Sequence, residues 1–197
     1  MNSIPISWIV VAGVLTIALL VLAIWVVFKK RKQSLRLQHR FGPEYGRTVD
    51  ELGGRAKAES ELKAREKRVG SLNITALAPS EVARFSQAWN ELQSRFVDNP
   101  KGVVMQADQL VRELMLKRGY PMGDFERRAA DISVDYPTVV ENYRAAQVIA
   151  IRDHRGEANT EDLRQAVVHY RALFDELLEV REAKQDVLAA KPIAVHA

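Results

Sequence analysis

From Ile6 to Phe28 the chain carries no Asp, Glu, Lys, Arg, His, Asn or Gln, and Lys29, Lys30, Arg31 and Lys32 then follow in a row. At ~1.5 Å rise per residue, a helix over the uncharged stretch crosses the ~30 Å hydrocarbon layer of a bilayer with some tilt. The missing charge matters, because one ionised side chain at mid-bilayer costs at least ~2.5 kcal/mol. Trp8 and Trp25 lie near the two ends, where amphipathic indoles favour the headgroup level. A core helix of a water-soluble domain seldom runs uncharged for so long. A cleaved export signal needs basic residues ahead of a shorter apolar run, then small residues at the cut. Residues 1–5 hold no basic side chain, and the cations come after the run. The expectation is a single transmembrane helix over 6–28, with residues 1–5 as a short extracytoplasmic N-terminus. Trp8, Trp25, Lys29, Lys30, Arg31 and Lys32 then form the membrane interface, and the positive-inside rule keeps the bulk of the chain cytoplasmic.

The same tetrapeptide accounts for the formal net charge of +4, which arises from 29 Lys+Arg against 25 Asp+Glu. The rest of the chain is balanced, so its basic isoelectric point does not report a basic domain and nucleic acid is not expected as a partner. There is no Cys. That excludes a disulfide framework, a Cys-ligated metal or cluster, and a thiol nucleophile.

Residues 29–46 read as a basic juxtamembrane segment and turn, with a helix stopped at Gly42-Pro43 because Pro cannot continue one. Residues 47–78 read as a charged helical stalk and linker. Its apolar stripe is thin, Glu59–Lys63 and Glu61–Arg65 are i,i+4 pairs, and Gly53-Gly54 weakens the first half. Weak self-association through 47–69 is expected. Residues 79–183 carry the stronger pattern. Val82, Phe85, Trp89, Leu92 and Phe96 recur at helical spacing after Pro79. Asn99-Pro100 caps a second helix with Val104, Ala107, Val111 and Leu114 inward, ending at Lys117-Arg118-Gly119. Asp124 caps a short bridging helix, Pro137 opens the next, and Asn159-Thr160 caps a last one with Leu163, Val167, Tyr170, Phe174 and Leu177 inward. Residues 184–197 read as a flexible tail. The fold class is therefore all-α: a transmembrane helix, a charged stalk, and a soluble helical bundle of two antiparallel hairpins with a short bridging helix.

Chemistry is sparse. His39, His154, His169 and His196 sit in separate segments, and neither Glu-x-x-His nor His-Glu-x-x-His occurs. No metal site is expected. Glycine-rich phosphate loops and the Gly-x-Ser-x-Gly turn are missing too. Asp131 and Asp135 are the nearest approach to a placed carboxylate pair. The basic runs Arg65–Arg68, Lys117-Arg118 and Arg152–Arg155 each precede a Gly, where they complement a helix C-terminus. No catalytic residue and no cofactor is assigned, and the chain is not read as an enzyme. One stretch concentrates aromatics and arginine, the residue types that dominate interface hot spots: Tyr120, Phe125, Arg127, Arg128 and Tyr136 form the candidate partner surface. The competing reading has Tyr120, Phe125 and Tyr136 closing the bundle end, with Arg127–Asp131 as an i,i+4 pair.

The segments RFGPEYGRTVDE (40–51), RGYPMGDFERRAADISVDYP (118–137), VENYRAA (140–146) and EDLRQAVVHYRALFDELL (161–178) resemble an uncharacterised family of bacterial single-pass, N-terminally anchored helical proteins. The resemblance implies bacterial origin and placement in the inner (cytoplasmic) membrane, and it brings no activity, cofactor or catalytic residue. The functional expectation is a membrane-tethered cytosolic adaptor or scaffold that binds another protein. Two alternatives stand beside it: an enzyme with an unrecognised site in the bundle, and a helical domain exported from the cytosol.

Overall fold

Proline, glycine and short polar side chains punctuate residues 6–179, the ones that a computed structural model describes, into eight helices. The side chains of 6–14, 16–18, 23 and 26 lie outside the described residues. So do residues 1–5 and the expected tail, 184–197. The helices are α1 Ile6–Phe41, α2 Pro43–Leu52, α3 Arg55–Gly70, α4 Pro79–Ser94, α5 Pro100–Arg118, α6 Phe125–Asp135, α7 Val140–His154 and α8 Thr160–Leu178. The described residues contain no strand, so the chain is all-α. Among the residues whose side chains are described, which leave out 6–14, no helix is long and apolar enough to cross a membrane. The chain divides into two compact units, Met1–Leu62 and Lys63–Ala197, and the divide falls inside α3.

In the first unit α1 runs without a break through Lys29–Lys32 and stops at Gly42, whose φ of 49° is open to glycine and strained for other residues. Pro43 then starts α2, and Gly53, at φ 66°, ends it. The Gly53-Gly54 pair thus separates two helices instead of merely weakening one. Their polar composition also conceals real burial. Tyr45, Thr48, Ala58 and Leu62 are enclosed, and the Tyr45 hydroxyl donates to Glu59 Oε1 at 2.9 Å. The segment is less solvated than a stalk. Two turns at glycine let short helices cover their thin apolar stripes, which a single straight rod could not do.

In the second unit the expected stripes meet in one core. Phe85, Trp89, Ala107, Val111, Leu114, Tyr143, Ala146, Tyr170 and Phe174 are fully or almost fully enclosed, with Trp89 and Phe174 ring centroids 4.6 Å apart. α4 packs on α5, α7 on α8, and α5 on α8. Polar ties between helices fix the directions. Lys117 at the end of α5 reaches Glu81 at the start of α4 (3.1 Å), so these two are antiparallel. Arg118 at the end of α5 reaches the Leu177 carbonyl at the end of α8 (2.7 Å), so α5 and α8 run parallel.

The caps match their sequence signals. Asn99 accepts from Gly102 N (3.0 Å) and Asp124 from Arg127 N (2.7 Å), while Asn159 and Asp162 form a reciprocal capping box. One boundary differs. Pro137 does not open α7; Pro137–Val139 make a turn in which Val139 N and Val140 N both bond the Tyr136 carbonyl, and the helix starts at Val140. The alternating Leu72–Leu77 stretch is loop, with Leu77 buried and Thr75 N bonded to the Arg118 carbonyl at 3.0 Å.

That loop crosses the end of α5 closely enough to demand glycine at 119. Gly119 has φ 95°, and a Cβ there would come 2.5 Å from the Asn73 carbonyl oxygen. The left-handed conformation alone costs an L-residue roughly 1–2 kcal/mol, and the backbone contact adds to it. Gly119→Ala is therefore expected to lower unfolding stability by about 2 kcal/mol or more, measured by urea denaturation of the full chain. Gly54→Ala, in open space at ordinary φ, serves as the neutral comparison.

Candidate functional site

Two of the buried charged side chains among the described residues, Arg118 and Asp131, lie on the last turn of α5 and on α6. Arg118 belongs to a run expected to complement its own helix terminus. Instead its side chain turns inward and is 8% exposed. Its Nη1 donates to the Leu177 carbonyl at 2.7 Å and to the Tyr136 hydroxyl at 3.0 Å. α8 has no basic residue in its own last turn. Arg118 therefore supplies, from a neighbouring helix, the positive charge that a helix C-terminus favours, and it satisfies a carbonyl left open there.

The bridge is stitched to its surroundings in the same manner. Asp131, 0% exposed, accepts from Arg68 Nε at 2.7 Å and Nη2 at 2.5 Å, both on Oδ1. Asp135 accepts from the Tyr120 hydroxyl at 2.7 Å. Arg128 donates to the Tyr143 hydroxyl (3.1 Å) and the Gly123 carbonyl (2.6 Å). Arg144, itself almost enclosed, pairs with Glu126 at 2.6 Å. Asp131 and Asp135 lie one turn apart, yet each is committed to a different partner. They form no shared acid–base site.

Three tyrosine hydroxyls are held protonated. Burial, followed by the Asp135 carboxylate, pushes Tyr120 far above its ordinary range. Burial raises Tyr143 as well, against the opposing pull of the Arg128 guanidinium. Tyr170 is raised by burial and by the Asp108 carboxylate, although its hydroxyl closes no hydrogen bond of ordinary geometry. The Tyr143 ring sits 4.8 Å from Phe125 and 6.2 Å from Tyr170, centroid to centroid.

The structure alters the expected partner surface. Tyr120 and Tyr136 are 1% and 4% exposed and close the bundle end, so neither can meet another protein directly. Phe125 and Arg128 are half-buried, and Arg127 alone of the five is exposed. Asp131 takes Arg68, 63 positions away, as its partner instead of Arg127. Local spacing places Arg68 and Arg118 only at helix ends and cannot reveal that they reach other helices. His169 Nδ1 lies 2.9 Å from Asn142 Oδ1 and ties α8 to α7, a boundary role. No group of three His, Asp or Glu suited to a metal ion occurs among the described residues.

At the other end of the chain, the Trp8 side chain lies outside the described residues. Trp25 is exposed with Lys29 Nζ over its ring at 5.0 Å, and Lys30, Arg31 and Lys32 are exposed too. No protein-family model matches the chain, and neither does any curated protein or solved structure.

Proposed function

We propose that this chain is a membrane-tethered helical adaptor of the bacterial inner membrane, its bundle held in the cytoplasm to bind another protein. One observation carries the tether. The described large apolar side chains of α1 from Leu15 to Phe28 stand 55–64% exposed. Leu19 to Leu22, Ile24, Trp25, Val27 and Phe28 follow one another at 100° per residue, so apolar surface circles the helix. A partner helix would cover one stripe, whereas a bilayer covers every side. The reading takes the uncharged sequence 6–28 as a whole, with Trp25 and Lys29–Lys32 at the interface facing the cytoplasm.

The adaptor reading is supported by how the bundle uses its polar groups. Arg68, Arg118, Arg128, Asp131 and Asp135 tie helices together into one platform, each committed to a structural partner and not to a shared acid–base site. The partner surface narrows to the rim of the bridge, exposed Met122 and Arg127 beside half-buried Phe125 and Arg128. Tethering raises local concentration, so a modest contact there suffices.

Three measurements test this. After alkaline carbonate washing the full chain should remain in the membrane pellet, and release into the supernatant would remove the tether. A photo-crosslinking residue at position 127 should yield a discrete adduct in cells that the same residue at exposed position 155 does not. No adduct at 127 would remove the proposed surface. A reporter active only outside the cytosol, fused to the C-terminus, should stay silent; activity would reverse the topology.

A further inference from the structure

We propose that Lys29–Lys32 form a cationic collar that selects anionic phospholipids around α1, an inference that rests on the tether reading above. The collar follows from the continuity of α1. Because the helix passes unbroken from Ile6 to Phe41, the four cations step around it by 100° each and fall within one turn. A flexible linker would let them gather on one side; a helix distributes them over the whole circumference. Every lipid in contact with the helix at this depth then meets at least one cation.

Among the described residues nothing neutralises the collar. All four side chains are exposed, and no acidic residue occurs before Glu44. Among the described residues none of the four is in an ion pair with a carboxylate. Lys29 is drawn toward the apolar side, its Nζ 5.0 Å from the Trp25 ring centroid. That cation–π contact brings a charge to the level where an interfacial indole sits, beside the phosphates. Exposed Val27 and Phe28 adjoin it on the acyl-chain side. Apolar surface directly joined to an uncompensated ring of positive charge complements a lipid with two acyl chains and a net negative headgroup. A zwitterionic headgroup presents its own cation to the ring and fits less well.

The test uses the full chain with Trp8→Phe, so that Trp25 reports from the membrane while buried Trp89 supplies a constant background. The protein is placed in vesicles that mix phosphatidylglycerol and phosphatidylcholine equally, with bromine on the acyl chains of one lipid or the other. Brominated phosphatidylglycerol should quench Trp25 as if enriched about fivefold at the helix in low salt, the factor expected for one basic contact per lipid. The enrichment should shrink in high salt. Replacing the collar (Lys29→Gln, Lys30→Gln, Arg31→Gln, Lys32→Gln) should bring the two lipids to parity. Parity in the unreplaced collar, or enrichment that survives its replacement, overturns the proposal. Quenching by neither lipid overturns the tether itself.

Discussion

Arg68→Ala is expected to destabilise the helical bundle by about 3 kcal/mol, the lower end of the range for breaking a buried pair by removing one partner. The asymmetry of the pair explains the size. Asp131 is fully enclosed, whereas the Arg68 side chain keeps 21% of its surface. Truncating Arg68 leaves the carboxylate in low dielectric with both of its guanidinium bonds gone. The lower end applies because the guanidinium is partly in contact with solvent. Chemical denaturation of the full chain in mild detergent, followed by far-UV circular dichroism, gives the number. Adding Asp131→Leu to Arg68→Ala should recover much of the loss, since an apolar replacement of both partners is often neutral or better. A loss below about 1 kcal/mol in Arg68→Ala would mean that water or another group reaches Asp131 easily and that its carboxylate is not enclosed.

Alkaline pH should unfold the bundle steeply, and Tyr120, Tyr143 and Tyr170 set the slope. Each has its folded-state pKa raised above the unfolded value near 10. Stability from such a group is fully present below pH ~10. It is lost as pH rises, because the unfolded chain releases the proton while the folded chain retains it. Each hydroxyl contributes about 1.4 kcal/mol of lost stability per pH unit above that point, and the three together about 4. Tyrosinate absorbance from these side chains should therefore rise together with the loss of helical dichroism. Tyr170→Phe is the informative variant. Its hydroxyl has no hydrogen-bond partner of ordinary geometry, so removal should cost little at neutral pH yet take about a third off the alkaline slope. Helix content unchanged through pH 12, with all tyrosines ionised, would contradict the burial of these hydroxyls.

Much of the bundle was legible before any coordinates. Asn99, Asp124 and Asn159 act as caps because a short polar side chain ahead of an apolar period has one favourable place to bond. Val104, Ala107, Val111 and Leu114 lie inward because a spacing of three and four puts them on one helix face. At the bridge the residues leave two readings open, for an equally physical reason. Tyrosine and arginine suit both an interface and a bundle end, since each joins an apolar body to a polar tip. Composition cannot separate the two roles. Tyr120 and Tyr136 went inward because Asp135 and Arg118 were there to receive their hydroxyls.

Local chemistry acts over a few residues along the chain. It therefore sets the all-α class, most of the helix ends, the apolar faces, and the confinement of excess charge to Lys29–Lys32 after an uncharged run. Tertiary structure alone decided which charges meet: Arg68 with Asp131, Arg118 with the Leu177 carbonyl, Tyr120 with Asp135. Those partners lie 15 to 63 positions apart. A buried charge must be satisfied by whatever the packing of apolar faces brings beside it, and that neighbour has no signature in the residues around it.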